Sequence, residues 1–162
     1  MTELAQKSRE IDKNFSQTME NLRRKLQDRQ AELKNQQEAA KRASAQGDRS
    51  ENAEWQIAND NVARLVMEIS SLEGTLDIYE RYKASYSPSG KVMLGSTVKL
   101  LDRQRGVTLF VKIFPPGLGN AKIGAIASTT PVGSAILGKV SGAEVVVKAP
   151  IGEIPYYIEE VL

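Results

Sequence analysis

Two stretches of the chain place apolar residues in steps that alternate between three and four, the spacing of helices that pack along one seam. The seam positions of the first stretch are Phe15, Met19, Leu22, Leu26, Arg29, Leu33, Gln36, Ala40 and Ala43. Those of the second are Trp55, Ala58, Val62, Leu65, Ile69, Leu72, Leu76 and Tyr79. The pattern predicts two long helices, with Arg29 and Gln36 as polar exceptions in the first seam.

The two seams are mirror images about residue 49. Ala43 and Trp55 lie equally far from that point, and so do Met19 and Tyr79. A chain that folds back there sets each seam position level with a partner, which predicts one antiparallel coiled-coil hairpin. At about 1.5 Å per residue, each helix would extend roughly 50 Å from Phe15 to the tip. Because each seam is occupied within one chain, we expect a monomer; a spacer that dimerises through its seam is the competing interpretation.

The composition of the chain changes after residue 83. Residues 1–83 contain no proline, whereas 84–90 are a turn-rich connector and 91–162 carry valine-rich runs separated by glycine and proline. Such runs are typical of short strands. We therefore expect a hairpin domain over 1–83, with its tip near 47–54, and a compact domain over 91–162.

The second domain is predicted to be a small antiparallel sheet with one short helix. A helix start is indicated by Thr130 as N-cap and Pro131 at the first helical position, and Gly138 is its stop. The candidate strands cover residues 92–101, 107–114, 122–127, 143–148 and 154–161. The fold class predicted for the whole chain is α+β.

Composition excludes several kinds of chemistry. The 162 residues include no cysteine and no histidine, so disulfides, thiolate metal sites and Ser-His catalysis are excluded. The net charge of +2 is too small to indicate a nucleic acid or a membrane as partner. No stretch resembles a signal peptide or a membrane span, and we expect a soluble, cytoplasmic protein.

The predicted tip carries two carboxylates, Asp48 and Glu51, beside Gly47, which allows the chain to reverse. Residues three apart are neighbours on a helix, so both carboxylates can face one point. Exposed oxygen ligands of this kind suit Mg²⁺, with a partner completing the shell. The alternative is a capping box, in which Asp48 and Glu51 only stabilise the start of the second helix. The spacing alone leaves both interpretations open.

The first helix also carries a run of basic residues. A stripe of this kind can meet RNA phosphates. A solvated helix face with intrahelical ion pairs explains it equally well. The residues are Arg23, Arg24, Lys25, Arg29, Lys34, Lys41 and Arg42, interspersed with Asp28, Glu32 and Glu38.

These motifs resemble the bacterial Gre transcript-cleavage factors of the GreA type. The family's tip pattern is Gly-Asp, two variable positions, then Glu-Asn-Ala-Glu and an aromatic residue, and here it reads Gly47-Asp48-Arg49-Ser50-Glu51-Asn52-Ala53-Glu54-Trp55. Residues 95–98, 128–139 and 145–150 are also similar to the family. The resemblance covers the chain from about Ala40 to its C-terminal end.

The resemblance implies an FKBP-like second domain that docks on the rim of the secondary channel of RNA polymerase. It implies that the hairpin enters the channel, where Asp48 and Glu51 help hold a shared Mg²⁺ of the polymerase active site near the 3′ end of the nascent RNA. The cut in backtracked RNA is then made by the polymerase, so the chain is not itself an enzyme and has no cofactor of its own. Thr129, Thr130 and Pro131 would form the rim contact; a plain first-turn proline is the alternative for Pro131.

Several positions depart from the usual family pattern. The first helix lacks the usual opening and its Arg-Pro, Trp55 replaces a tyrosine, and Ala143 stands where aspartate is common. A Pro115-Pro116-Gly117 loop replaces an acidic segment. These departures motivate an alternative function, a Gre-like paralogue that occupies the channel and inhibits or remodels the polymerase without promoting cleavage.

Overall fold

The computed structural model describes residues 2–45 and 52–162. Two long helices, α1 (Glu3–Ser44) and α2 (Ala53–Ser85), are followed by five strands and a short third helix. The chain forms two compact units, one of Thr18–Asp77 and one of Met1–Gln17 with Ile78–Leu162. No helix within the described residues is long and apolar enough to span a membrane.

The unit Thr18–Asp77 contains most of α1 and α2, paired antiparallel as predicted. Hydrogen bonds join Arg29 to Glu68 and Gln36 to Asn61, so positions equally far from the turn lie level. None of the predicted seam side chains of either helix is exposed, and Leu65 is completely buried. The alternating spacing therefore identified the buried stripe of both helices.

The second unit contains a five-stranded sheet in the order β3-β2-β1-β5-β4. Its strands are β1 (Thr97–Asp102), β2 (Val107–Phe114), β3 (Ala125–Ala127), β4 (Glu144–Ala149) and β5 (Gly152–Val161). The short helix α3 covers Pro131–Ile136. These elements confirm the predicted α+β class, and we call residues 91–162 the head.

The sheet differs from the prediction at one edge. β1, β2, β4 and β5 pair antiparallel as expected, but β3 runs parallel to β2, which makes the sheet mixed. The strand predicted over 122–127 is shortened because Ala121–Ile123 form a 3-10 turn that ends at Gly124 with a positive φ. The first strand starts at Thr97 instead of residue 92, because Gly95, also at positive φ, makes a turn there.

One face of the sheet packs against α3 and forms the main apolar core. Alternate residues of the strands point into it, as the period of two in a strand requires. Ile136 contributes the buried side chain of α3. The other buried members are Val92, Val98, Leu100, Val111, Ile113, Val145, Val147, Ile154, Tyr156 and Ile158.

The opposite face of the sheet is covered by the first turns of α1. Lys112 of β2 is 7% exposed, and its ammonium lies 2.7 Å from both carboxylate oxygens of Asp12. Thr97 donates a hydrogen bond of 2.8 Å to Ser8 beside it. A buried lysine needs such partners, because removing one leaves an uncompensated charge.

Aromatic rings continue this second layer. Phe15 stacks on Phe114 with ring centroids 4.1 Å apart, and Tyr79 and Tyr82 complete the cluster. Burial raises the pKa of the Tyr82 hydroxyl well above its usual range. The start of α1 and the end of α2 thus belong to the same compact unit as the head. The boundaries predicted at 83 and 91 mark the change in composition.

Candidate functional site

The two long helices are joined at the tip by the side chain of Asn52. Its amide nitrogen donates a 2.8 Å hydrogen bond to the carbonyl of Ala43 near the end of α1. Its amide oxygen accepts a 3.1 Å hydrogen bond from the backbone N–H of Trp55 in the first turn of α2. One side chain thus caps α2 and ties it to α1.

Three apolar residues near Asn52 are buried or half-buried. Ala43 and Ala58 are buried, and Trp55 is half-buried beside them. A shallow cavity of about 290 Å³ lies here, lined by Ala39, Arg42, Ala43, Glu54 and Ala58. The predicted role of Trp55 as a packing residue of the first seam layer agrees with its half-buried position.

The predicted carboxylate pair, Asp48 and Glu51, lies outside the described residues, as does Gly47. Their assignment as metal-holding residues stays a prediction. Within 2–45 and 52–162, no three acidic or other metal-binding side chains converge on one point.

The start of α2 has a cap residue within the described part of the chain. Helix α2 begins at Ala53, and Asn52 before it is not helical. An N-cap residue accepts a hydrogen bond from an N–H two or three positions later, which is what Asn52 does with Trp55. Asn52 is therefore the N-cap of α2, and the capping alternative for Asp48 and Glu51 lies outside the described residues. The sequence shows Asn52 within the tip motif, but the mirror pattern gave no reason to select it.

The predicted contact residues of the head lie together at the start of α3. Thr130 is the N-cap as predicted: its hydroxyl accepts from the N–H of Gly133 and donates to the carbonyl of Ala127. Pro131 occupies the first helical position, and both it and Thr129 are exposed. The turn holds Thr130 in place while its two neighbours face solvent.

Gly133 makes this turn possible. A Cβ atom at that position would lie 2.3 Å from the carbonyl oxygen of Ala127, which is backbone and cannot move aside easily. The close approach allows α3 to start directly after β3. The sequence gave no signal for this role beyond the presence of a glycine.

A groove of small residues lies beside the same turn. It has a volume of about 380 Å³ and is mainly apolar. Gly119 approaches the backbone of Ala127 closely, since a Cβ there would lie 3.2 Å from its nitrogen. The groove is lined by Gly117, Gly119, Ala121, Ala125, Ile126, Ala127 and Thr130. Gly117 of the Pro115-Pro116-Gly117 loop and nearby Gly119 thus line a groove beside the turn that carries Pro131.

The middle of the hairpin carries a charged cluster. Arg29 donates to Glu68 across the seam at 3.1 Å and to Glu32 one turn along α1 at 2.6 Å. Lys25 also reaches Glu68 at 3.2 Å, and Arg64 lies within 3.8 Å of both carboxylates. Much of the predicted basic stripe is therefore paired within the hairpin, in agreement with the ion-pair interpretation.

These ion pairs change the pKa of the Glu68 carboxyl. The hydrogen bond from Lys25 lowers the pKa of its carboxyl, burial opposes this in part, and Arg29 lowers the pKa further. The pKa of Arg29 is raised by its hydrogen bonds to Glu32 and Glu68. Both groups are held in their charged forms.

The described residues form an antiparallel helical hairpin and a small α+β head. Residues 87–162 match the family model described as transcription elongation factor, GreA/GreB, C-terminal, and residues 16–80 match the corresponding N-terminal model. The chain belongs to the GreA/GreB family of transcription elongation factors.

Two sequence relatives agree with this assignment. The chain is 35% identical over 124 residues to transcription elongation factor GreA of a Nitratiruptor species, covering 76% of each chain. It is 34% identical over 125 residues to the GreA of Polaromonas naphthalenivorans, covering 76% of this chain and 79% of the relative. Among solved structures, GreA factor homolog 1 of Thermus thermophilus is 24% identical, with a TM-score of 0.40 over 89% of this chain and 94% of that one.

We predict that Asn52→Ala lowers the stability of the hairpin by about 1–2 kcal/mol, because both the cap and the bond to α1 are lost. Asn52→Ser is the matched control, since a serine still caps α2 but is too short to reach Ala43. Thermal unfolding should place the serine variant between the alanine variant and the parent. Equal losses for both variants would show that the bond to Ala43 contributes nothing.

A second prediction concerns acid. Because the folded pKa of Glu68 is lowered, its contribution to stability is complete above the ordinary glutamate pKa of about 4.3. That contribution is lost as the pH falls through the lower folded value. The Tm of the parent should therefore exceed that of Glu68→Gln at pH 7, and the difference should narrow toward pH 3.

High salt is the control for this experiment. Salt screens the partly exposed charges, so the difference at pH 7 should also shrink in 1 M NaCl, where the Debye length is about 3 Å. A difference in Tm that stays constant with both pH and salt would contradict the assigned ion pairs.

Proposed function

We propose that this protein binds RNA polymerase and stimulates the cleavage of backtracked RNA, as an accessory factor that supplies part of the polymerase's active site. The observation that carries the proposal is membership of the GreA/GreB family over both the hairpin and the head. The tip motif, Asp48 through Trp55, supplies the chemistry. The closed hairpin supports it mechanically, because Asn52 fastens the helices together at the base of the tip.

The tip contributes two carboxylates to the reaction in this proposal. They are the side chains of Asp48 and Glu51. Their role is to hold Mg²⁺ jointly with polymerase residues, close to the 3′ end of the nascent RNA. Bound there, Mg²⁺ neutralises phosphate charge and lowers the pKa of a coordinated water. The N-cap at Asn52 supports this metal-holding role, because the start of α2 already has a capping side chain.

The head provides the docking contact in this proposal. Pro131 and Thr129 are exposed on a turn that Thr130 and Gly133 hold rigid. The groove of small residues beside them offers an apolar surface with little side-chain entropy to lose on binding. We assign the rim of the secondary channel of the polymerase as the surface that it meets.

We predict that Asp48→Ala reduces the stimulated cleavage rate roughly a hundredfold, since a metal ligand contributes several kcal/mol to transition-state stabilisation. The measurement is shortening of the RNA 3′ end in a backtracked complex of purified polymerase. Binding to polymerase should stay unchanged, because the head contact is intact. Asp60→Ala is the control, because Asp60 is an exposed carboxylate of α2.

Two outcomes would contradict the proposal. Undiminished cleavage by the Asp48→Ala variant would remove the tip from the mechanism. A parent protein that slows RNA synthesis and yields no cleavage products would instead be the channel-occupying inhibitor.

We predict that Pro131→Ala weakens binding to the polymerase about tenfold, the effect of losing one well-placed contact residue. Stability should change little, because alanine is also acceptable in the first turn of a helix. Pro150→Ala, an exposed proline between β4 and β5, is the matched control. Unchanged affinity, measured by competition for polymerase, would place the docking contact elsewhere on the head.

A further inference from the structure

The seam of the hairpin contains two polar pairs among its apolar layers. Arg29 donates to Glu68 at 3.1 Å, and Asn61 donates to Gln36 at 3.3 Å. All four side chains come from the unit Thr18–Asp77, and each pair joins α1 to α2. We call these four residues the polar layer.

The apolar seam by itself does not define one alignment of the helices. A shift of seven residues moves Leu26 from the level of Leu72 to that of Leu65 or Tyr79. All three partners are apolar and lie in the buried stripe. Since heptad spacing repeats, most apolar seam positions again meet an apolar position in the shifted alignment.

The polar layer does distinguish these alignments. A shift of seven residues places Arg29 beside Asn61 or Thr75, so that it loses its carboxylate partner across the seam. The same shift places Glu68 beside Gln36 or Leu22. The Arg29 and Glu68 side chains are only 34% and 27% exposed, so solvent does not fully replace the lost partner.

We propose that the Arg29–Glu68 pair, assisted by Gln36 and Asn61, is a positioning device that selects the helix register of the hairpin. The register determines which residues of α1 lie level with which residues of α2. It would therefore determine where the two helices hold the tip motif. A polar residue in a core position sets the register of a coiled coil at some cost in stability. Only the consequence for the tip rests on the proposed function; the register is measurable by itself.

Disulfide trapping measures the register directly, because the chain has no cysteine of its own. A Leu22→Cys/Leu76→Cys pair reports the observed alignment, since these positions are level in the mirror pattern. A Leu22→Cys/Ile69→Cys pair reports an alignment shifted by seven residues. In the parent background, mild oxidation should give the first disulfide within single chains and almost none of the second.

The decisive variant is Arg29→Leu/Glu68→Leu, which replaces the charged pair of the polar layer with apolar side chains. Replacing an ion pair in a core position with leucine tends to stabilise, so the Tm should rise. The shifted disulfide should increase roughly tenfold, because the paired charges no longer penalise that alignment. A rise in Tm together with a loss of register is a combination that a purely structural contact would not produce.

The control variant is Glu20→Leu/Arg24→Leu. It removes a pair of opposite charges from the same helix, but these charges lie within 3.8 Å of each other on α1 and do not join α2. Its trapping pattern should match that of the parent. An unchanged pattern in the Arg29→Leu/Glu68→Leu variant would overturn the proposal, as would an equal increase in the control.

Cleavage assays separate this inference from the proposed function. If the proposed function and the register role are both correct, the Arg29→Leu/Glu68→Leu variant stimulates cleavage less than the parent although it melts at a higher temperature. If the parent gives no cleavage, the proposed function fails, and the trapping experiment still decides the role of the polar layer.

Discussion

The packing of α1 against α2 along one apolar seam is the interaction on which the hairpin depends. Each helix alone would expose a stripe of leucine and isoleucine, and isolated helices gain little stability in water. Pairing buries these stripes together, most completely at Leu65. The antiparallel arrangement follows because the seams are mirror images. It brings Ala43 and Asn52 within hydrogen-bond distance at one end of the unit.

Polar side chains add specificity that the apolar seam lacks. Burial of apolar surface is favourable in any alignment that keeps the stripes in contact, since it has no direction. Hydrogen bonds and ion pairs require defined partners, as between Arg29 and Glu68 or between Asn52 and Ala43. The proposed function, delivery of a few tip residues to the active site of another protein, needs both a stable hairpin and a single alignment.

The head depends in a similar way on contacts between distant parts of the chain. Its sheet packs on α3 on one face and on the first turns of α1 on the other, where Asp12 neutralises buried Lys112. Removal of the first turns of α1 would leave that lysine without its carboxylate. The surface that carries Pro131 lies at the start of α3, held by hydrogen bonds to Thr130.

Features that depend on local spacing could be predicted from the order of residues alone. Helical periodicity identified the seam residues of α1 and α2, and the mirror about residue 49 identified the fold-back. Cap chemistry placed the start of α3 at Thr130 and Pro131, and the bounds of β2 were predicted correctly. For the candidate site, Asp48 and Glu51 were selected from the order of residues in the tip motif, and their role stays a prediction.

Features that join residues far apart in the chain were seen only in the folded structure. The parallel pairing of β3, the burial of Lys112 against Asp12 and the contact of Arg29 with Glu68 all depend on distant partners. Asn52 also joins α2 to α1, because α1 ends beside it and offers the carbonyl of Ala43 to its amide nitrogen. Local patterns determine which face of a helix or strand is apolar, whereas the partner of a buried polar group is known only when the elements have packed.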